Sequence, residues 1–295
     1  MARGSAAGDA EIAALVARLT PGEHYEISPD RKAVSLTDAG IDPSRRIVVV
    51  TDPGSPLEED ARSKGQRVVT ADPDVGGRYS ALTAFGLVPA GLAGVDVEVL
   101  LDDAESVTDL LADDDEANPA LRLGAAIGGT SPLRDKLYLV DHGTELVGFG
   151  DWAEQLIAES TGKDGTGLLP VVLPRPGGST PPTDATIVRL VPDDGDDSAP
   201  VAASTVDVGG SLGAQFLLWE VATAVAGRLL GINPFDQPDV EAAKAGARDM
   251  LESGLGGEAE EPAFLDGDIA VFGTAELLDG ADSLEDALRV LRSTW

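Results

Sequence analysis

Residues 154–167 read EQLIAESTGKDGTG and set a carboxylate, Glu159, just ahead of a Ser-Thr-Gly-Lys string. A lysine behind small hydroxylated residues suggests phosphate gripping, whereas a carboxylate at a helix end suggests proton transfer. The phosphate-loop reading fails. That motif needs glycine five residues before its Gly-Lys pair, with a strand entering and a helix leaving. Here Ile157 fills that position, an amphipathic helix (DWAEQLIAES) enters and a strand-like run (LLPVVLP) leaves. Glu159 remains as a candidate general base.

Three further stretches carry unusual residue types. In DVGGRYSALT, two glycines ahead of Arg78 let the backbone approach a ligand closely, and the arginine adds a rigid fork of donors. In NPFDQPDVEAAK, Gln237 precedes Pro238, a residue suited to the first turn of a helix, and Lys244 follows nearly two turns later. In DVGGSLGAQF, a glycine loop enters a long apolar helix. Taken singly, each also reads as ordinary structure: a glycine turn, a loop into an amphipathic helix, a capped helix end.

The elements around these stretches alternate. A short helix over 8–20 and a hairpin over 25–37 open the chain. RRIVVV, LEEDARSKG and QRVVTA then form strand, helix and strand, a βαβ unit with parallel pairing. Helical runs follow over 80–94 and, as a single helix, over 97–111. KLYLV, LLPVVLP and TIVRLV are strands separated by helices or loops, and the acidic clusters 113–116 and 193–197 read as solvated loops, with a calcium site as the alternative for the second. A buried helix over 212–230, a helix from Val240, a strand DIAVFG and a last helix LEDALRVLRSTW complete the pattern. The fold class is α/β, with parallel sheets flanked by helices.

Composition narrows the partners. The 52 acidic against 21 basic residues give a formal charge of −31, which argues against nucleic acid and against an anionic membrane surface. No cysteine is present, so disulfides and thiolate chemistry are excluded. Two histidines, His24 and His142, are too few for a histidine-rich metal site. The longest apolar segment is interrupted by Gln215, Glu220 and Arg228, so it reads as a buried helix, not a membrane span. Without an apolar signal core at the N-terminus, a cytoplasmic location is expected.

Together and in this order, TDPGSPLE, VGGRYSAL with FGLVPA, GFGDWAEQLIAESTGK, and WE-ATAVAG leading into NPFDQPDVEAAK resemble the glucose-6-phosphate isomerases, in the actinobacterial and transaldolase-fused form. The resemblance spans about residues 45–295. It implies two sugar isomerase domains with the active site between them, here a remnant of the first over 45–94 and a nearly complete second over 95–262. Residues 1–44 are unmatched, and a strand-helix segment occupies 263–295. The implied reaction interconverts glucose 6-phosphate and fructose 6-phosphate through a cis-enediol, with no metal and no organic cofactor.

By the same resemblance Glu159 is the base, Arg78 steadies the enediolate, and Lys244 assists ring opening. Gly77, Gln237 and Lys163 are implied on the substrate side, Gln237 at the phosphate. A homodimer, or a partner chain supplying the first domain, is implied as well. Two departures stand out. A Ser-Gly-Gly-Thr phosphate loop, frequent upstream in the family, is absent before TDPGSP. The segment matching a histidine-bearing GTNGQH loop reads GGSLGAQF. Both ends of the family pattern are also expected to be missing. A non-catalytic sugar-phosphate-binding module and an inactive fragment therefore stand beside the enzyme as alternatives.

Overall fold

A computed structural model describes residues 36–37, 39–173, 175–176, 181–192, 204–238, 243, 245–247, 249, 261–278 and 280–293. The expected first helix, the hairpin over 25–37 apart from its last two residues, the acidic cluster 193–197 and Lys244 lie outside the described residues, as does most of the expected helix from Val240. The chain divides into two units, Met1–Gln237 and Pro238–Trp295.

The first unit opens with β1 (Val48–Thr51), α1 (Pro56–Ser63) and β2 (Arg67–Thr70). The valine-rich strands favour extended backbone, and they pair in parallel with Val48 opposite Arg67. Between them Ser55 caps α1 by accepting from the Glu58 N–H, with Pro56 in the first turn. The βαβ unit read from the sequence is thus present, though β1 is mostly half-buried rather than fully buried.

Four helices follow: α2 (Ala84–Leu92), α3 (Val97–Ser106), α4 (Thr108–Ala112) and α5 (Pro119–Gly128). The single helix expected over 97–111 is two, broken at Val107. α5 lies where no element is expected from the sequence. The second sheet contains β3 (Lys136–Asp141), β4 (Leu169–Leu173), β5 (Ala185–Leu190) and β6 (Thr205–Val208) in the order β4-β3-β5-β6, every pair parallel. β6 falls in the stretch read as loop ahead of the long helix. Helix α6 (Phe149–Thr161) joins β3 to β4, and α7 (Leu212–Leu230) follows β6. A parallel pair needs a crossover connection, which α6 supplies between β3 and β4.

The core gathers Leu137, Leu139, Val188 and Leu190 from the sheet, Phe149, Leu156 and Ile157 from α6, and Trp219 from α7. Helix α7 is held close to its neighbours by small residues. A Cβ on Gly128 would stand 2.8 Å from the Ala226 Cα, and one on Gly124 would stand 2.6 Å from Val225. No helix among the described residues is long and apolar enough to cross a membrane.

In the second unit, β7 (Phe264–Asp266) and β8 (Ile269–Val271) form an antiparallel hairpin. Helices α8 (Ala275–Leu278) and α9 (Leu284–Ser293) follow. The strand read in DIAVFG is β8, and the last helix is α9.

Gly128→Ala should lower the stability of the fold by about 1–3 kcal/mol, because the new methyl meets the α7 backbone and not a movable side-chain tip. Denaturant unfolding of the two proteins checks this, and equal midpoints would contradict the close helix contact.

Candidate active site

The stretch that raised the phosphate-loop question ends α6 and turns back on itself. Asp164 and Gly165 both have positive φ, 54° and 77°. The Lys163 and Thr166 backbones exchange two hydrogen bonds across them, N to O at 3.1 Å and 3.0 Å. This is the Asp-Gly turn that a tight reversal demands, since both central residues must enter the left-handed region. The turn fixes the Lys163 backbone, while Thr161 Oγ1 accepts from the Leu168 N–H at 3.0 Å and ties the exit strand to the helix end.

From that anchor the Lys163 side chain, 5% exposed, reaches the 233–236 loop. Its Nζ donates to the Asn233 carbonyl at 3.0 Å, the Asp236 carbonyl at 2.6 Å and Asp236 Oδ1 at 2.8 Å. An ammonium has three donors, and all three are engaged here. Arg78 lies in a short 3-10 turn, Gly77–Tyr79, and is 2% exposed. Its Nε donates to Ser160 Oγ at 2.8 Å, and its Nη2 donates to the Pro234 and Asp236 carbonyls at 2.6 Å and 3.0 Å. Burying a guanidinium costs several kcal/mol unless it is compensated, and charge-assisted bonds of about 1.5–3 kcal/mol each do so on those two nitrogens.

The third nitrogen differs. Arg78 Nη1 is buried without a hydrogen-bond partner, and the Glu159 carboxylate stands 3.8 Å away, too far for a hydrogen bond. Glu159 itself is open, its side chain 43% exposed, steadied by a 3.0 Å bond from Gln155 Nε2 to Oε1. A fixed cationic donor and an accessible carboxylate therefore sit side by side.

Gln237 also comes to this place. Its Nε2 lies 3.2 Å from where a Cβ on Gly76 would stand, so the amide rests on the Gly76 backbone. Gly76 has ordinary negative φ, so closeness to Gln237 is what favours a residue without a side chain there. Gly77 is exposed, and nothing lies within 4 Å of a Cβ built on it. The fold thus brings together Arg78, Glu159, Lys163, Gln237 and the Gly76–Gly77 turn. Lys244 lies outside the described residues.

Residues not singled out from the sequence complete the site. Ser160 Oγ accepts from Arg78 and donates to the Tyr79 hydroxyl at 3.1 Å, and the Tyr79 ring packs on Phe235 with centroids 5.2 Å apart. Burial is the main cause that raises the Tyr79 hydroxyl above the usual phenol range. Glu220, in the middle of α7, is buried enough to push its carboxyl up to about 7, and its Oε1 has no hydrogen-bond partner. Its one visible signal in the sequence is a lone carboxylate inside an apolar helix.

A parallel α/β sheet with a buried arginine beside an open carboxylate defines the class to which known proteins can be compared. No family model matches the chain. The chain is similar to a probable glucose-6-phosphate isomerase of Natronomonas pharaonis, 30% identical with 77% of this chain and 64% of the relative covered. A glucose-6-phosphate isomerase of Rubrobacter xylanophilus is 32% identical, with 72% and 61% covered. The chain thus spans less than two thirds of the length of these relatives. Among solved structures, a glucose-6-phosphate isomerase from Chlamydia trachomatis shares the fold at a TM-score of 0.61 and 17% identity, covering 76% of this chain and 56% of that one. A hypothetical protein from Thermus thermophilus does so at 0.60 and 22%, with 81% and 74% covered.

Glu220 makes stability depend on pH in a definite direction. Its folded pKa of about 7 lies above the ordinary glutamate value of 4.5, so between those values the folded state binds the extra proton. Stability contributed this way is full below the unfolded value and is lost as pH rises through about 7, by on the order of 2–3 kcal/mol. Glu220→Gln should flatten this decline in melting curves taken from about pH 5 to 8. Parallel slopes for the two proteins would contradict the buried, uncompensated carboxyl.

Proposed function

We propose that the chain is an aldose-ketose isomerase of the glucose-6-phosphate isomerase kind. In this reading it interconverts glucose 6-phosphate and fructose 6-phosphate by moving one proton between adjacent carbons. The observation that carries the proposal is the pairing of Arg78 Nη1, fixed and without a partner, with the open Glu159 carboxylate 3.8 Å away. Relatives bearing that activity in their names support it.

In the open-chain sugar, Glu159 takes the proton from the carbon next to the carbonyl. The C–H electron pair becomes the second bond of the enediol, and charge passes to the carbonyl oxygen. Arg78 Nη1 donates to that oxygen as the charge develops, where a preorganised buried donor is worth most. Glu159 then returns its proton to the former carbonyl carbon. The hydroxyl on the first carbon becomes the new carbonyl as its proton passes to the former carbonyl oxygen, directly or through water. Its partial exposure at the end of α6 gives it access to both carbons without moving the helix.

Around this pair, Gln237 contacts the phosphate and the Gly77 backbone lies against the ligand. Lys163 holds the 233–236 loop in place and so acts on substrate through that loop. Lys244 assists ring opening. Residues 45–94 form the remnant of a first sugar isomerase domain and 95–262 form the second, of the actinobacterial and transaldolase-fused type. The protein works in the cytoplasm without metal or organic cofactor, as a homodimer or with a partner chain.

A coupled assay of fructose 6-phosphate conversion tests the reading on wild type, Glu159→Gln, Arg78→Lys and Gly77→Ala. The first substitution should lower kcat by about a hundredfold or more, and the second by a similar factor. Gly77→Ala should raise KM while leaving the melting temperature unchanged, because nothing in the fold meets the added methyl. Equal turnover by wild type and Glu159→Gln would overturn the assignment of the base. A folded wild type that binds sugar phosphate without turnover would favour a binding module.

A further inference from the structure

An arginine beside a carboxylate ordinarily closes onto it, with charge-assisted hydrogen bonds of about 2.7–2.9 Å. Arg78 and Glu159 do not close. Nη1 stands 3.8 Å from Oε2 and has no hydrogen-bond partner, although the arginine side chain is fully buried. On the carboxylate side, Gln155 Nε2 donates to Oε1 at 3.0 Å, so the oxygen facing Arg78 is not the one that is anchored. On the guanidinium side, Nη2 is fixed by the Pro234 and Asp236 carbonyls at 2.6 Å and 3.0 Å.

Two bonds on one nitrogen leave a planar group able to rock about that nitrogen. Nη1 would then swing toward Oε2. The bond that stops the swing is made at Nε, which donates to Ser160 Oγ at 2.8 Å. With Nε and Nη2 both pinned, the plane is fixed and Nη1 stays where it is. Ser160 is held in its turn. It is 0% exposed, and its hydrogen goes to the Tyr79 hydroxyl at 3.1 Å, which leaves its lone pairs to Nε. The Tyr79 ring packs on Phe235, in the same loop that holds Nη2.

Ser160 follows Glu159 in the last turn of α6, and successive helical positions point about 100° apart. One side chain is therefore open to solvent while the next is buried. The helix end carries the carboxylate and the anchor of its cation as chain neighbours.

We propose that Ser160 is a positioning residue acting through Arg78: it keeps the guanidinium from closing onto Glu159. The carboxylate then stays free to take a proton, and Nη1 stays free to donate. A closed pair would disable both groups at once, each engaged by the other. The spacing rests on this geometry alone, and its value for turnover rests on the isomerase reading.

Ser160→Ala removes the hydroxyl and keeps the rest of the side chain. Crystal structures of wild type and variant should show Nη1 at 3.8 Å from Glu159 in the first and within about 3.2 Å in the second. A wild-type pair already closed, or a variant pair still apart, overturns the proposal. In solution, protein labelled with 15N in arginine reports the same change, with Arg78→Lys identifying the signal. The Arg78 Nε–H resonance should shift in Ser160→Ala and exchange with solvent about tenfold faster or more. An unmoved resonance overturns the proposal.

Where turnover is measurable, Ser160→Ala should lower kcat about tenfold with KM nearly unchanged, the worth of about one hydrogen bond in the transition state. A closed pair with unchanged kcat overturns the positioning role. A closed pair in a variant whose wild type also lacks turnover supports the spacing and overturns the isomerase reading instead. Should Ser160→Ala fail to fold, Ser160→Cys puts a weaker acceptor of similar shape in the same place. A shifted Arg78 resonance in that variant supports the proposal, and an unshifted one overturns it.

Discussion

The carbonyl oxygen of Asp236 accepts from two buried cations at once, Arg78 Nη2 at 3.0 Å and Lys163 Nζ at 2.6 Å. A carbonyl has two lone pairs, and both are used. The neighbouring carbonyls of Pro234 and Asn233 take one further bond from each cation. This arrangement makes three segments distant in sequence into one site: the turn at 77–79, the end of α6 and the loop after α7. Remove it, and two cations are left buried without compensation, a state that costs several kcal/mol.

The same arrangement explains how an acidic chain can offer a place to an anion. The formal charge of −31 would repel a phosphorylated sugar at long range. At the site, though, Arg78 is held by a hydroxyl and two neutral carbonyls with Glu159 3.8 Å away, while Lys163 is paired with Asp236 at 2.8 Å, so the positive charge left over lies mainly on Arg78. Among the described residues, Glu159 and Asp236 are the carboxylates paired with the two cations, and both are half open to solvent. Lys163 is engaged in holding the loop, whereas Arg78 keeps one nitrogen without a partner. Two residues that look alike in the sequence are thus held differently.

Much of this is legible in the sequence. Glu159, Arg78, Lys163 and Gln237 stand out by residue type and resemblance, and the structure brings those four together. The parallel α/β alternation is legible because valine-rich strands and capped helices leave local marks, as at Ser55-Pro56. What stays hidden depends on distant contacts. Backbone carbonyls at 233, 234 and 236 carry no side-chain signal, so the use of all three Lys163 donors cannot be read. Strand β6 is only four residues, too short for a clear period, whereas α5 does carry readable marks, with Asn118 and Pro119 at its start and its buried residues at 120, 123, 124, 127 and 128. The importance of Ser160 and Tyr79 follows from neighbours roughly 80 residues away, at separations of 82 and 81.

The most direct test of the central claim, that Glu159 and Arg78 Nη1 form a proton-transfer site, is hydrogen exchange from solvent into substrate. Fructose 6-phosphate incubated with the folded protein in deuterated water should gain deuterium at the carbon where the enediol forms, as read by proton NMR. The incorporation should disappear in Glu159→Gln. Substrate that stays unlabelled with folded wild-type protein, or labelling that persists without the Glu159 carboxylate, would contradict it.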